Sequence, residues 1–206
     1  SLAWGMDLSS DLRVTASYGT AFKVPGFVDL YSSFGANPNL EPEKSSTTEL
    51  GLSGEHADVR WSANLYQTDI ENMILWDDIN WTTYNLDEDA RIRGLELTAA
   101  TRVANWDLST TLDLLDPKDR SDDSLLPRRS RKMFNISADH DFGQYALGAS
   151  LRAVGKAKDT GGQEINGYTT VDLRGSYQLT QDWALKAKIE NLLDEDYQTV
   201  YGYNQP

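Results

Sequence analysis

The stretch VRWSANL, residues 59–65, alternates apolar and polar side chains without interruption. Its apolar positions are Val59, Trp61, Ala63 and Leu65, and its polar positions are Arg60, Ser62 and Asn64. Because successive side chains of a strand point to opposite faces, this period of two predicts a β-strand with one apolar and one polar face. The alternation recurs in about ten runs up to Asn191, which predicts an all-β chain.

Connectors of two lengths join these runs, and the two lengths alternate along the chain. The short connectors lie at residues 9–11, 56–58, 103–105, 141–144 and 180–182. The long connectors lie near residues 19–44, 71–90, 115–128 and 157–166. Transmembrane barrels place tight turns at the periplasmic end and long loops outside, whereas a soluble meander has no reason to separate loop lengths by end. The alternation therefore predicts an antiparallel transmembrane β-barrel wall.

Composition agrees with membrane strands rather than membrane helices. The chain has 206 residues, which fits one domain, and it contains no apolar run of the 18 residues that a membrane helix needs. Its mean hydropathy of -0.54 is low. A barrel shows lipid only every second residue of each strand and keeps the other face polar, so a low mean hydropathy does not oppose the prediction.

Aromatic side chains gather beside the short connectors. They are Trp61, Trp106, Tyr145, Tyr177 and Trp183. Such a distribution is typical of the aromatic girdle at a membrane interface. Aromatic residues also favour strands in general and fill the cores of soluble sheets, so a soluble β-sheet binding protein remains the alternative. The separation of short and long connectors favours the girdle.

Charge and residue content exclude several classes of function. The net charge of -13 opposes binding to nucleic acid, because phosphate binding needs a basic surface. The acidic clusters of the long connectors lack EF-hand spacing and are interpreted as solvated loops, so neither a metal nor a cofactor is predicted. Cysteine is absent. The two histidines, His56 and His140, lie beside short turns, which is a poor place for a catalytic base, and the chain is predicted not to be an enzyme.

Six segments resemble one family, the TonB-dependent outer-membrane receptors. Four of them resemble motifs of the whole superfamily: SYGTAFKVP (17–25), NPNLEPEK (37–44), RIRGLE (91–96) and NLLDEDY (191–197). Two more, LLPRR (125–129) and TVYGY (199–203), resemble the cobalamin transporters within that family. The resemblance spans nearly the whole chain and indicates a corrinoid ligand.

The resemblance implies a 22-stranded barrel with a plugged lumen, of which residues 1–206 supply about ten consecutive strands. These residues form a partial C-terminal β-barrel domain, and the plug, the TonB box and the closing strand are expected to be absent, because the chain stops at Pro206 where the family continues to a terminal aromatic residue. The expected location is the cell outer membrane, with its lipid, a cobalamin or corrinoid ligand, and the TonB complex as partners. The TonB complex would act through the missing N-terminal plug.

Two residues match ligand contacts of the cobalamin transporters, Arg128 in LLPRR and Tyr203 in TVYGY. An arginine donates to amide or phosphate oxygens, and a tyrosine offers a flat ring and a hydroxyl. The loop at residues 156–167 departs from the family pattern, because it has no tyrosine where those transporters carry several. A receptor for a siderophore or another metal chelate is therefore one alternative function, and an outer-membrane barrel enzyme is another.

Overall fold

A computed structural model of the protein describes residues 1–205, and Pro206 lies outside the described residues. Ten long strands form one antiparallel sheet, in which each strand pairs with the next long strand along the chain. The predicted all-β class and the number of strands are both confirmed. Three two-stranded hairpins and one short helix lie in the connections between the long strands or after the last of them.

The strands have the following bounds in chain order: β1 (Leu2–Ser9), β2 (Leu12–Lys23), β3 (Glu43–His56), β4 (Val59–Glu71), β5 (Ile74–Asp77), β6 (Thr82–Asn85), β7 (Ala90–Val103), β8 (Trp106–Asp119), β9 (Lys132–Asp141), β10 (Tyr145–Val154), β11 (Ala157–Lys158), β12 (Glu164–Ile165), β13 (Tyr168–Gln178), β14 (Ala184–Ile189), β15 (Tyr197–Val200) and β16 (Tyr203–Gln205). The helix α1 spans Phe27–Tyr31, and a 3-10 turn spans Thr160–Gly162. The ten-stranded sheet runs β1-β2-β3-β4-β7-β8-β9-β10-β13-β14.

The predicted short connectors are tight turns at one end of this sheet. In the turn between β7 and β8, Ala104 and Asn105 both have positive φ, 49° and 66°. Two successive residues with positive φ form the type I′ turn, whose twist matches that of the flanking strands. Gly143, between β9 and β10, has a φ of 89°, a conformation in which glycine carries no steric penalty.

All long connections lie at the opposite end of the sheet. Loop 1 is residues 24–42, loop 2 is residues 72–89, loop 3 is residues 120–131, loop 4 is residues 155–167, and the terminal segment is residues 190–205. Loop 1 is shorter than predicted because β2 and β3 are longer. Loop 3 starts and ends later than predicted because β8 extends to Asp119 and β9 begins at Lys132. Strand β8 continues through Pro117 to Asp119, beyond Leu114, the last residue that pairs with β9. Because Pro117 lies beyond the part of β8 that pairs with β9, its missing N–H removes no ladder bond to that strand. Its carbonyl accepts a hydrogen bond from Leu126 N–H at 3.1 Å.

One face of the sheet carries continuous rows of apolar side chains. In one row, Leu50 of β3 pairs with Leu65 of β4, Leu65 pairs with Leu95 of β7, and Leu95 pairs with Leu114 of β8. Leu50 and Leu65 are 53% and 56% exposed. Soluble proteins rarely leave large continuous apolar surfaces in water, whereas a barrel turns this face to lipid.

The other face is polar and is bound together across the strands. Ser62 of β4 and Thr98 of β7 share a hydrogen bond of 2.7 Å. Arg174 of β13 binds Asp139 of β9 across β10, with Nε 2.7 Å from Oδ1. Gly148 of β10 leaves room for this bridge, since a Cβ there would lie 2.6 Å from Arg174 Nε. A hydrated barrel lumen satisfies such a face.

The aromatic residues beside the short turns lie on the apolar face, in agreement with the predicted girdle. Trp106 is in register with His140, and their rings stack with centroids 5.0 Å apart. Phe142 packs on His140 and on Tyr145, at 4.0 and 4.6 Å. His140 Nδ1 also lies 2.6 Å from the Asn105 carbonyl, so the imidazole hydrogen-bonds to the turn between β7 and β8. None of the helices among residues 1–205 is long and apolar enough to cross a membrane.

Candidate functional site

Loops 1 and 2 form one bonded unit at the long-loop end. Backbone Thr83 N–H donates to Gly35 carbonyl at 3.0 Å, and the Asn37 amide donates to the Thr83 carbonyl at 3.0 Å. Asn85 and Glu41 exchange two bonds, because Glu41 N–H donates to Asn85 Oδ1 at 2.8 Å and Asn85 Nδ2 donates to the Glu41 carbonyl at 3.0 Å. The segment NPNLEPEK thus ties loop 1 to the β5–β6 hairpin of loop 2, a role that the sequence did not reveal.

Three aromatic rings stand at the tip of this unit. Phe34 lies 6.0 Å from Trp76 and 5.6 Å from Trp81, and the two tryptophan rings are 6.5 Å apart and nearly perpendicular. Gly35 makes the approach possible, because a Cβ there would lie 2.5 Å from Trp76 Cζ3, and its φ of 69° also favours glycine. Trp81 is 61% exposed and offers an open ring face.

A small apolar core lies beneath loops 2 and 3. It consists of Met73, Leu86, Ala90 and Leu126, with exposures from 0% to 8%. Leu126 is 1% exposed and belongs to the segment LLPRR. Burial of this leucine fixes the start of the segment, so the two arginines that follow it emerge from a defined position.

The two arginines of that segment have different surroundings. Arg128 has a positive φ of 58°, and its N–H donates to the Lys158 carbonyl at 2.6 Å. Arg129 is partly buried, and its Nη1 donates to the Pro127 carbonyl at 3.2 Å. Burial lowers the pKa of the Arg129 guanidinium, although the Glu43 carboxylate opposes this effect.

Asp159 of loop 4 joins three segments of the chain. Its Oδ1 accepts hydrogen bonds from Arg128 Nε at 2.5 Å and from Thr160 N–H at 2.8 Å, and its Oδ2 accepts one from Tyr201 N–H at 2.7 Å. Burial acts to raise the pKa of Asp159, but these hydrogen bonds and the Arg128 charge outweigh it and hold the pKa below its ordinary value of 3.8. Asp159 is therefore an anion at neutral pH.

The two residues predicted to bind ligand are linked through this aspartate rather than directly. Arg128 donates to Asp159, and Tyr203 follows two residues after Tyr201, whose N–H donates to the same carboxylate. Tyr203 lies opposite Val200 in the β15–β16 hairpin and is 69% exposed. Sequence reasoning missed Asp159 because a lone aspartate in a loop carries no periodic or motif signal.

Loops 2, 3 and 4 enclose a cleft of about 620 Å³. Trp76, Tyr84, Leu126 and Pro127 supply apolar walls. The ionisable lining consists of Asp77, Asp78, Asp119, Asp123, Asp159 and Lys158. Hydrogen bonds from the backbone and side chain of Asn80 lower the pKa of Asp77, which keeps this carboxylate charged. The cleft is amphipathic and acidic, and among residues 1–205 no group of three or more acidic or histidine side chains is arranged to hold a metal ion.

Comparison with known proteins assigns the family. The family model described as TonB dependent receptor-like, beta-barrel, matches residues 1–192. The chain belongs to the TonB-dependent receptor β-barrel family. Receptors of this family are outer-membrane proteins, and the open ten-stranded sheet is a segment of such a barrel wall.

Two curated relatives of this TonB-dependent receptor segment share a name. The vitamin B12 transporter BtuB of Vibrio vulnificus is 34% identical over 205 residues, which are 98% of this chain and 33% of the relative. The vitamin B12 transporter BtuB of Photobacterium profundum is 38% identical over 214 residues, covering 98% of this chain and 35% of the relative. The chain thus spans about a third of the length of the curated relatives it matches. Both relatives are transporters by name, in agreement with the prediction that the chain is not an enzyme.

A solved structure supports the fold of the receptor segment. The ferric enterobactin receptor PfeA of Pseudomonas aeruginosa, as its G324V mutant, matches 99% of this chain and 38% of its own length with a TM-score of 0.80. Sequence identity is 18%, so this likeness concerns the fold alone.

Proposed function

We propose that this chain is part of the barrel wall of a TonB-dependent outer-membrane receptor that takes up cobalamin or a related corrinoid. The observation that carries the proposal is the match to two vitamin B12 transporters at 34% and 38% identity over 98% of the chain. In this proposal residues 1–206 are a partial C-terminal barrel domain, and the plug, the TonB box and the closing strand belong to sequence outside them.

Ligand capture in this proposal takes place among the outer loops. Arg128 and Tyr203 are the proposed ligand-binding residues. Arg128 keeps 40% of its side chain exposed while Asp159 holds its Nε, so the remaining N–H groups of the guanidinium are available to amide or phosphate oxygens of a ligand. Tyr203, at 69% exposure, offers its ring face to an apolar macrocycle.

The charge of the cleft favours a corrinoid over an anionic metal chelate. Asp77 and Asp159 are ionised, and three further aspartates share the cleft with a single lysine. Like charges repel across a partly buried surface, so an anionic ferric siderophore would meet a penalty there. A corrinoid carries neutral amide side chains, whose N–H groups donate to carboxylates. A siderophore receptor is supported by likeness of fold alone and remains the second candidate.

Transport in this proposal couples binding to energy from elsewhere. The polar face of the sheet lines the lumen, where it contacts water and the plug. The TonB complex acts on the plug and releases the ligand into the lumen. The residues of this chain bind and orient the ligand, while outer-membrane lipid covers the apolar rows.

The experiment is a binding titration with the full-length gene product in outer membranes of a strain that lacks its own cobalamin receptor. Radiolabelled cyanocobalamin should be retained, and Arg128→Ala should weaken retention by about 1–3 kcal/mol because a hydrogen bond to the ligand is lost. Arg131→Ala is the matched control, since Arg131 lies in the same loop, is 56% exposed and makes only a 3.5 Å contact with Asp116. It should bind as the wild type does.

Two results would contradict parts of the proposal. Unchanged affinity in Arg128→Ala would remove Arg128 from the site while leaving the corrinoid ligand in place. Retention of a ferric siderophore in place of cyanocobalamin would instead support the second candidate function.

A further inference from the structure

We infer that Asp159 is the positioning residue of the outer site, which it builds by holding Arg128 and the turn at Tyr201 on one carboxylate. The inference rests on the proposed function and names a residue through which the two proposed ligand-binding residues act together. It is carried by the burial of Asp159, by the origin of its hydrogen-bond donors and by the conformation of the chain around it.

Burial sets Asp159 apart from the other charged residues. It is the one ionisable residue among residues 1–205 that is buried, with 6% of its surface exposed. The Asp159 side chain in its pair with Arg128 is 4% exposed, whereas the least exposed carboxylate in any other ion pair among residues 1–205 is that of Glu43, at 16%. A charge is expensive to bury unless it is paired and hydrogen-bonded, and Asp159 meets this condition through three donors.

The three donors come from separate parts of the chain. Arg128 belongs to loop 3, Thr160 to loop 4 and Tyr201 to the terminal segment, so one side chain fixes the relative position of all three. The Thr160 hydroxyl also donates to the Asp78 carboxylate of loop 2. Loops 2, 3 and 4 are the loops that line the acidic cleft, and Asp159 itself lines it.

Backbone contacts alone do not orient the guanidinium of Arg128. The N–H of Arg128 is held by the Lys158 carbonyl, which fixes the backbone but leaves the long side chain free to rotate. Asp159 removes this freedom by accepting from Nε, the guanidinium nitrogen nearest to the chain. The residues that follow, Gly161 and Gly162, have φ of 79° and 83°, and Gly162 N–H donates to the Asp159 carbonyl at 3.1 Å, so this turn holds the backbone of Asp159 in place.

The consequence for binding is preorganisation. A guanidinium that Asp159 already holds in one orientation loses less conformational freedom when it meets a ligand. The Tyr201 bond gives the same advantage to the β15–β16 hairpin, which carries Tyr203. Loss of the carboxylate should therefore weaken binding even though the ligand-contacting residues are all present.

The test compares Asp159→Asn with a matched control in the full-length gene product. Asparagine keeps the size of the side chain but is uncharged and replaces one carboxylate oxygen by an NH2 donor. Arg128 and Tyr201 donate to different oxygens of Asp159, so asparagine cannot accept from both of them in this geometry. The control is Glu164→Gln, which removes a carboxylate from the same loop, where Glu164 pairs with Lys156 at 2.7 Å and is 59% exposed. Cyanocobalamin affinity should fall about tenfold in Asp159→Asn and stay unchanged in Glu164→Gln.

Two further readouts separate positioning from general damage to the loops. In the double variant Arg128→Ala/Asp159→Asn, affinity should fall by less than the sum of the two single losses, because both changes remove the same oriented guanidinium and only the loss of the Tyr201 bond adds to the effect of Arg128→Ala. Independent, additive losses would overturn the inference. Hydrogen exchange of the Tyr201 amide, measured without ligand, should be slow in the wild type and fast in Asp159→Asn, and fast exchange in the wild type would overturn the inference too.

Failure of the inference and failure of the proposed function give different results. If the wild type binds cyanocobalamin and Asp159→Asn binds equally well, the positioning role is overturned and the function stands. If the wild type does not retain cyanocobalamin while the Tyr201 amide is protected, the corrinoid function is overturned, and with it the ligand that the inference names.

Discussion

Replacement of Gly94 by alanine should destabilise the barrel, although alanine normally strengthens a strand. Gly94 of the segment RIRGLE pairs with Tyr66 across β7 and β4, and a Cβ at Gly94 would lie 2.6 Å from Tyr66 Cε1. An aromatic ring cannot move aside as a flexible chain end can. Overpacking of this kind costs about 1–3 kcal/mol. The lower conformational freedom of alanine in the unfolded chain offsets roughly 0.5–1 kcal/mol, and the middle of the two ranges leaves a net loss of about 1 kcal/mol.

Gly175→Ala provides the matched control. Gly175 lies in the interior of β13, and the nearest atom to its Cβ would be Leu147 Cδ2 at 3.4 Å, an ordinary contact with a flexible side chain. The assay is urea unfolding of the full-length gene product in lipid vesicles, followed by tryptophan fluorescence. Gly175→Ala should unfold at the same or a higher urea concentration than the wild type, and Gly94→Ala at a lower one. Equal midpoints for the two variants would refute the steric argument.

Two other predictions concern the outer loops. Leu126 is 1% exposed, so Leu126→Ala should destabilise the core beneath loops 2 and 3 by about 2–5 kcal/mol. Added protease should then cleave loop 3 of the variant faster than loop 3 of the wild type, and equal rates of cleavage would contradict the prediction. The lowered pKa of Asp159 means that its contribution to loop order is full above its ordinary value of 3.8 and is lost as pH falls through the lower folded value. The affinity for cyanocobalamin should therefore stay constant from pH 7 to about pH 4 and fall at lower pH. In Asp159→Asn, the part of this fall that comes from protonation of Asp159 should be absent.

The barrel wall was predictable from sequence because its physics is local and periodic. Alternation over residues 59–65 assigns the two faces of β4, and the same alternation identifies the other nine long strands. Tight turns can be recognised in the sequence because the connectors between the alternating runs are short, as at Ala104 and Asn105. The sequence prediction starts loop 3 too early because Leu115 and Pro117 interrupt the alternation, while the backbone of β8 continues beside β7.

The arrangement of the loops was not predictable in the same way. The β5–β6 hairpin, the aromatic contact of Phe34 with Trp76 and the bonds to Asp159 all join residues that are not linked by any repeating pattern. Each of these contacts depends on where the wall holds the ends of its loops. Arg128 and Tyr203 were identified by resemblance to a family, and their role in ligand binding stays a prediction.

Strand β4 extends beyond its apolar part, and this extension sets how far loop 2 stands from the apolar rows. On β4 the apolar face ends at Leu65, and the same face continues with Gln67, Asp69 and Glu71. The six residues from Tyr66 to Glu71 extend the strand by roughly 20 Å, or about 14 Å along the membrane normal for a strand tilted by about 45°. In the proposed outer-membrane setting, this extension carries the start of loop 2 away from the lipid. Because the chain has no cysteine, one thiol introduced at the exposed Ile79 would be the only one in it, open to water-soluble reagents on intact cells.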